Sequence, residues 1–102
     1  MRLNLKEIAI IQKAFRTIFQ KNSFKLYLFG SRTDNNKKGG DIDLLVLVDQ
    51  NDKQIFIDGK IKILKAIFED LDEQKIDITV VTHTELNSDF FLKIISKSMI
   101  EL

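Results

Sequence analysis

The stretch Leu28-Phe29-Gly30-Ser31-Arg32, followed after a polar loop by Gly40-Asp41-Ile42-Asp43-Leu44, decides how this chain is read. An apolar run ends in Gly-Ser, the chain turns back, and a second apolar run opens on two aspartates two residues apart. In an extended strand, side chains at i and i+2 share a face. Asp41 and Asp43 therefore project together, with Ile42 and Leu44 on the other side. Two carboxylates side by side at the start of a buried strand repel each other and lose hydration. A divalent cation that prefers hard oxygen ligands, Mg2+ above all, relieves both penalties. Gly30-Ser31 presents a small residue, a hydroxyl and backbone N–H groups to an anion. A metal site beside a phosphate cradle points to nucleotide chemistry.

The 102 residues are expected to form one compact domain, 1–102, with a single core. A hydrophobic share of 44% and a charged share of 30% belong to a globular chain rather than a disordered one. A net charge of +1 gives no general pull toward nucleic acid or an anionic membrane, so any charged site must be local. Cysteine is absent, which removes disulfides, zinc–thiolate sites and thiol nucleophiles and fits a reducing cytoplasm. Lys6, Glu7, Gln12, Lys13 and Arg16 interrupt the first apolar residues, so these read as an amphipathic helix and not a secretory signal. No apolar run approaches the length of a membrane span.

Residues 4–20 carry Leu5, Ile8, Ile11, Phe15, Ile18 and Phe19 at helical spacing. Phe24 to Phe29 is strand-like and stops at Gly30; Asp41 to Val48 is a second strand, apolar enough beyond its aspartates to lie inside a sheet. From about Gln54 to Leu71, the set Ile57, Ile61, Leu64, Phe68 and Leu71 predicts one helix, with Gly59 as its weak point. Lys75 to Thr82 predicts a third strand, with Ile76, Ile78 and Val80 on one face and Asp77, Thr79 and Val81 on the other. The chain from Ser88 onward predicts a last helix that buries Phe91, Ile94, Ile95 and Met99. The expected architecture is a small α/β (α+β) fold, a mixed sheet flanked by helices.

Asp77 opens its strand as Asp41 and Asp43 open theirs, and a neighbouring strand position would add a third carboxylate to the pair. Such a set holds divalent ions or keeps one carboxylate as a base, and phosphoryl or nucleotidyl transfer then needs no histidine or thiol.

These stretches, together with Leu45-Val46 and the later Lys75-Ile76-Asp77-Ile78, resemble the signature of the polymerase-β-like nucleotidyltransferases. The chain is most similar to their minimal (MNT) branch, over nearly its whole length. The resemblance implies that Gly30 and Ser31 hold the triphosphate, with Arg32 at a basic position beside them. It implies that Asp41 and Asp43 bind catalytic Mg2+ and that Asp77, the third carboxylate, helps to activate an acceptor hydroxyl, with ATP as donor of AMP. It also implies a partner: minimal members are commonly paired with a helical HEPN-domain ribonuclease toxin, on which the small protein acts as antitoxin by adenylylating a tyrosine. Two departures stand out. The loop between Ser31 and Asp41 has nine residues and lacks a longer helical turn, and Gly40 occupies a place where many relatives have serine.

Other readings compete. Asp41 and Asp43 would also suit a strand edge leaving a Gly-Gly turn, and Ser31 a turn cap. Lys37 and Lys38 read as solvated loop residues, Lys60, Lys62 and Lys65 as the polar face of a helix, His83 as a surface residue in a Thr-His-Thr turn, and Tyr27 as an ordinary strand residue. At the level of function, the alternatives are a non-catalytic binding subunit that neutralises its partner by occlusion and a transferase acting on a small molecule. The near-neutral charge and the lack of a basic, aromatic-lined groove disfavour RNA-end chemistry.

Overall fold

The computed structural model describes residues 3–21, 23–30, 42–71 and 75–102. In chain order they form α1 (Leu5–Ile18), β1 (Phe24–Phe29), β2 (Ile42–Val48), a 3-10 turn (Gln50–Asp52), α2 (Lys53–Asp58), α3 (Lys60–Asp70), β3 (Ile76–Thr82), α4 (His83–Ser88), α5 (Phe90–Ser96) and β4 (Ile100–Glu101). The sheet runs β3-β2-β1-β4. β2 is parallel to β3, while β1 is antiparallel to both β2 and β4. β2 thus lies in the interior of the sheet, as its apolar run predicts, and every residue but Asp43 is buried. Among the described residues no helix is long and apolar enough to cross a membrane.

Strand alternation divides the interior in two. Ile42, Leu44, Val46 and Val48 join Leu26, Leu28, Ile76 and Val80 in the larger cluster, which packs on Ile11, Phe15, Phe19, Phe56, Ile63 and Ile67 from α1, its C-terminal end, α2 and α3. Leu45, Leu47 and Val81 face the other way, onto Leu92 of α5, with Tyr27, Phe29 and Ile95 at the margin.

Asn4 starts α1 with a capping box: its Oδ1 accepts from the Glu7 amide at 2.8 Å, and Glu7 accepts from the Asn4 amide at 3.0 Å. Of the predicted stripe, Ile11, Phe15 and Phe19 are buried, but Leu5 is 85% exposed. At 100° per residue, Leu5 lies about 120° around the helix from Ile11, off the packed face.

The predicted helix from Gln54 to Leu71 is two helices, broken at Gly59; Leu64, Phe68 and Leu71 of the predicted set pack at the margin of the larger cluster, but the buried centre is Phe56, Ile63 and Ile67, and Ile61 is 69% exposed. Apolar residues lie nearly all round α3, so two phases of the helical period fit the sequence equally well. Packing onto α1 and the core decides between them. Phe56 stacks on Phe19 with ring centroids 4.0 Å apart, and Phe15 and Phe24 complete the cluster. The Phe19 ring fills the space beside Gly59, where an added Cβ would lie 2.6 Å from Cζ.

The predicted last helix is also replaced. Thr82 and Glu85 form a capping box that starts α4 at His83, so His83 opens a helix rather than lying in a turn; Asp89 then caps α5. Ile95 and Met99 pack against the second cluster as expected, Ile94 is half exposed, and the Phe91 side chain lies outside the described residues. The chain ends in a strand instead of a helix because β1 has an open edge: β4 pairs with Tyr27 and Leu28, and the Leu102 amide donates to the Leu26 carbonyl at 2.9 Å.

Two measurements follow from this packing. Alanine at Gly59 gains roughly 1 kcal/mol of helix propensity, but overpacking against a fixed ring costs about 1–3 kcal/mol. Gly59→Ala should therefore lower the urea-unfolding midpoint. The second concerns the Lys53 ammonium, which bonds the Glu85 carboxylate at 2.8 Å and ties α2 to α4. That bond first, and the Thr82 amide next, hold Glu85 below its ordinary value of 4.5. A carboxylate whose pKa is lower folded than unfolded stabilises the fold above the unfolded value and stops doing so as pH falls through the folded one. Glu85→Gln should accordingly flatten the decline of the unfolding midpoint from about pH 5 to pH 3.

Candidate active site

The chain builds its candidate site where β1 ends and β2 and β3 begin. β1 runs antiparallel to β2, and β2 runs parallel to β3, so these three strand ends meet at one edge of the sheet. The register sets Phe29 against Asp43 and Asp43 against Asp77. Residues paired across neighbouring strands point to the same face, with Cα atoms about 5 Å apart. Asp43 and Asp77 are therefore side by side, on the face that carries Leu45, Leu47 and Val81 further along the sheet. Asp43 is half-buried and Asp77 is exposed, so the pair faces solvent on one side and the sheet on the other.

Gly30 closes the site from the end of β1. Its φ of +78° lies in the left-handed region that favours glycine. A Cβ built on it would lie 2.5 Å from Asp43 Oδ2, so the backbone there comes as close to the carboxylate as a residue without a side chain allows. The left-handed backbone is what calls for glycine here; the nearest atom is the end of the Asp43 side chain, which can turn aside.

Of the residues singled out in the sequence, the structure brings Gly30, Asp43 and Asp77 together. Ser31, Arg32, Asp41, Lys37 and Lys38 lie outside the described residues. Among the described residues no group of three or more metal-binding side chains is assembled. The donors present suit a hard divalent ion, because two adjacent carboxylates supply anionic oxygen and no sulfur or imidazole. Among the described residues, His83 is far from this end: it follows β3, exposed, with Nε2 4.0 Å from Asp49 Oδ1. Lys62 and Lys65 are exposed on α3, Lys60 is half-buried at its start, and Tyr27 is half-buried beside the second cluster. A groove of about 420 Å³ between α1 and the β1–β4 pair, lined by Gln12, Arg16, Lys25 and Glu101 among others, lies at the opposite end of β1 from Gly30.

Sequence reading did not single out Phe29 as a neighbour of the site. It is half-buried beside Asp43 in the same row, and the signal was strand alternation: Phe29 directly precedes Gly30.

The family model of the nucleotidyltransferase domain matches residues 8–102, and the chain belongs to that family. Among solved structures, it resembles the spectinomycin adenyltransferase AAD(9) from Enterococcus faecialis, determined with ATP and spectinomycin. The TM-score is 0.50 and the identity 24%, over 84% of this chain and 37% of the other. That likeness is one of fold: a small mixed sheet flanked by helices, the polymerase-β-like nucleotidyltransferase core. No curated protein matches the chain.

The contact between Gly30 and Asp43 is testable without any substrate. Gly30→Ala should cost about 1–2 kcal/mol from the left-handed backbone, with a smaller addition for turning the Asp43 carboxylate aside. In a double-mutant cycle with Asp43→Ala, urea unfolding should show a coupling of at least about 0.5 kcal/mol, because truncating Asp43 removes the clash but not the backbone cost.

Proposed function

We propose that this chain is a minimal nucleotidyltransferase that moves AMP from ATP, with Mg2+, onto a hydroxyl of a protein partner. The partner we propose is a HEPN-type ribonuclease toxin, modified on a tyrosine and thereby neutralised, which makes this chain an antitoxin acting in the cytoplasm. The observation that carries the chemical part is the register of Asp43 against Asp77 beneath Gly30. Family membership over residues 8–102 supports it. The described elements form a sheet and the helices that cover it; the protein partner is proposed on the resemblance to the minimal branch.

Asp43, with Asp41 and Asp77, would hold Mg2+, which when bound neutralises charge on the triphosphate and aligns it for attack. The chain's own residues do the rest. Gly30, with its left-handed backbone, and Ser31 would offer backbone N–H groups and a hydroxyl to the β- and γ-phosphates, and Arg32 would add a charge-assisted contact. Asp77, exposed at the rim, receives the proton of the acceptor hydroxyl. A tyrosine hydroxyl, with a pKa near 10, reaches the site protonated. In a loose transition state that proton leaves late, so a weakly basic carboxylate is sufficient.

The test is the intact mass of a HEPN-domain partner after incubation with ATP, Mg2+ and this chain. Wild type should add one or more AMP units to the partner, and Asp41→Asn/Asp43→Asn should slow the addition by about a hundredfold or more. A partner silenced equally by both forms, with its mass unchanged, would replace catalysis by occlusion.

A further inference from the structure

β3 is the outermost strand of the sheet, and it carries one carboxylate of the site on an edge that no other described strand covers. The ladder shows which backbone groups face outward. The Ile42 amide donates to the Lys75 carbonyl at 3.1 Å, with Ile42 opposite Ile76. In a parallel pair, this places the N–H and C=O of Asp77, Thr79 and Val81 toward β2. Those of Ile76, Ile78 and Val80 therefore point away from it, and the structure gives them no partner among the described residues. Thr82 confirms the alternation: its N–H also points away from β2, and the Glu85 carboxylate takes it at 3.0 Å. The open edge is thus bounded at one end by the α4 cap and at the other by the acid pair.

Natural sheets protect such edges with lysine, proline, bulges or a covering element. β3 has none of the first three: it reads Ile-Asp-Ile-Thr-Val-Val-Thr, its single charge is Asp77, and it pairs with β2 in unbroken register. An edge left open beside a catalytic carboxylate is suited to recognition by strand addition.

We infer that the acceptor is an extended peptide segment that adds antiparallel to β3, with its hydroxyl-bearing residue opposite Asp77. This rests on the proposed nucleotidyl transfer and specifies how the acceptor is held. The geometry favours a peptide because the edge offers alternating amide donors and carbonyl acceptors, which another peptide backbone complements. Asp77 has its own backbone groups engaged with β2, so it would face the incoming residue in a non-hydrogen-bonded pair. Such pairs bring Cα atoms to about 4.5 Å and set both side chains on one face. That face is the one shared with Asp43. The hydroxyl oxygen then bonds to the α-phosphorus of ATP while the bond from that phosphorus to the bridging oxygen breaks. Pyrophosphate leaves with the electron pair, and the hydroxyl proton passes to the Asp77 carboxylate.

The experiment combines amide hydrogen exchange with label transfer. The probes are synthetic peptides rich in valine and threonine around a central tyrosine, serine or threonine, with terminal lysines, at millimolar concentration with Mg2+ and α-labelled ATP. We expect exchange at Ile78 and Val80 to slow about tenfold and the label to appear on the central hydroxyl. Peptides N-methylated on the amides that face β3 should do neither. Ile78→Pro removes an outward donor without touching the β2 ladder and should abolish the protection at Val80; if that variant does not fold, the N-methylated peptides make the same test from the ligand side. Label transfer without protection, or equal labelling of the N-methylated peptides, overturns strand addition and leaves nucleotidyl transfer standing. Protection without transfer supports strand addition and counts against the proposed function instead. Protection that grows with the concentration of the chain alone assigns the edge to a second copy and overturns the inference, as does the absence of protection with every peptide.

Discussion

The parallel pairing of β2 with β3 is the constraint on which the rest of this structure depends. Antiparallel strands can be joined by a tight turn, but a parallel pair needs a crossover. Here α2 and α3 supply it and, in crossing, bring Phe56, Ile63 and Ile67 onto the sheet. The same pairing makes β2 interior and buries almost its whole length. It also sets Asp43 against Asp77. A slip of one residue would turn Asp77 to the helix-covered face and Ile76 toward Asp43, exchanging a site for a buried charge.

The two faces of the sheet are unequal, and the site depends on that inequality. The larger cluster is sealed by long helices and an aromatic group in which Phe19 stacks on Phe56 across Gly59. The smaller is covered by the short helices α4 and α5, each capped by its own side chain. Close packing belongs to the first face. The second has room at its end for half-buried and exposed carboxylates, which a sealed layer would exclude unless they were paired.

What could be read from the residues was whatever has a local cause. Gly30 after an apolar run, and aspartates alternating with isoleucine and leucine, declare strand ends and faces because the period of a strand is two. β1, β2 and β3 were all legible in this way, and so was the adjacency of the acidic positions on β2 and β3. Helix phase was less legible. α3 is apolar on most sides, so only its packing onto α1 and the sheet, a tertiary fact, centres Ile63 and Ile67 and leaves Ile61 exposed. The end of the chain was misread for a similar reason. Ile100 and Glu101 form a strand because β1 offers an edge, and no spacing within the last residues records that offer. The edge of β3 that no other described strand covers was equally invisible, since it is defined by which described strands are not beside it.

The distance along the chain between the site's two described carboxylates has a further consequence. Asp43 and Asp77 lie on strands separated by the whole α2–α3 crossover, so their meeting is a non-local contact of the kind that forms slowly and late. The β1–β2 hairpin alone gives Gly30 and Asp43 but no second carboxylate. An unfinished chain, or one from which β3 has frayed, therefore has no assembled pair. The pair assembles only when the crossover closes, so its presence marks completed folding.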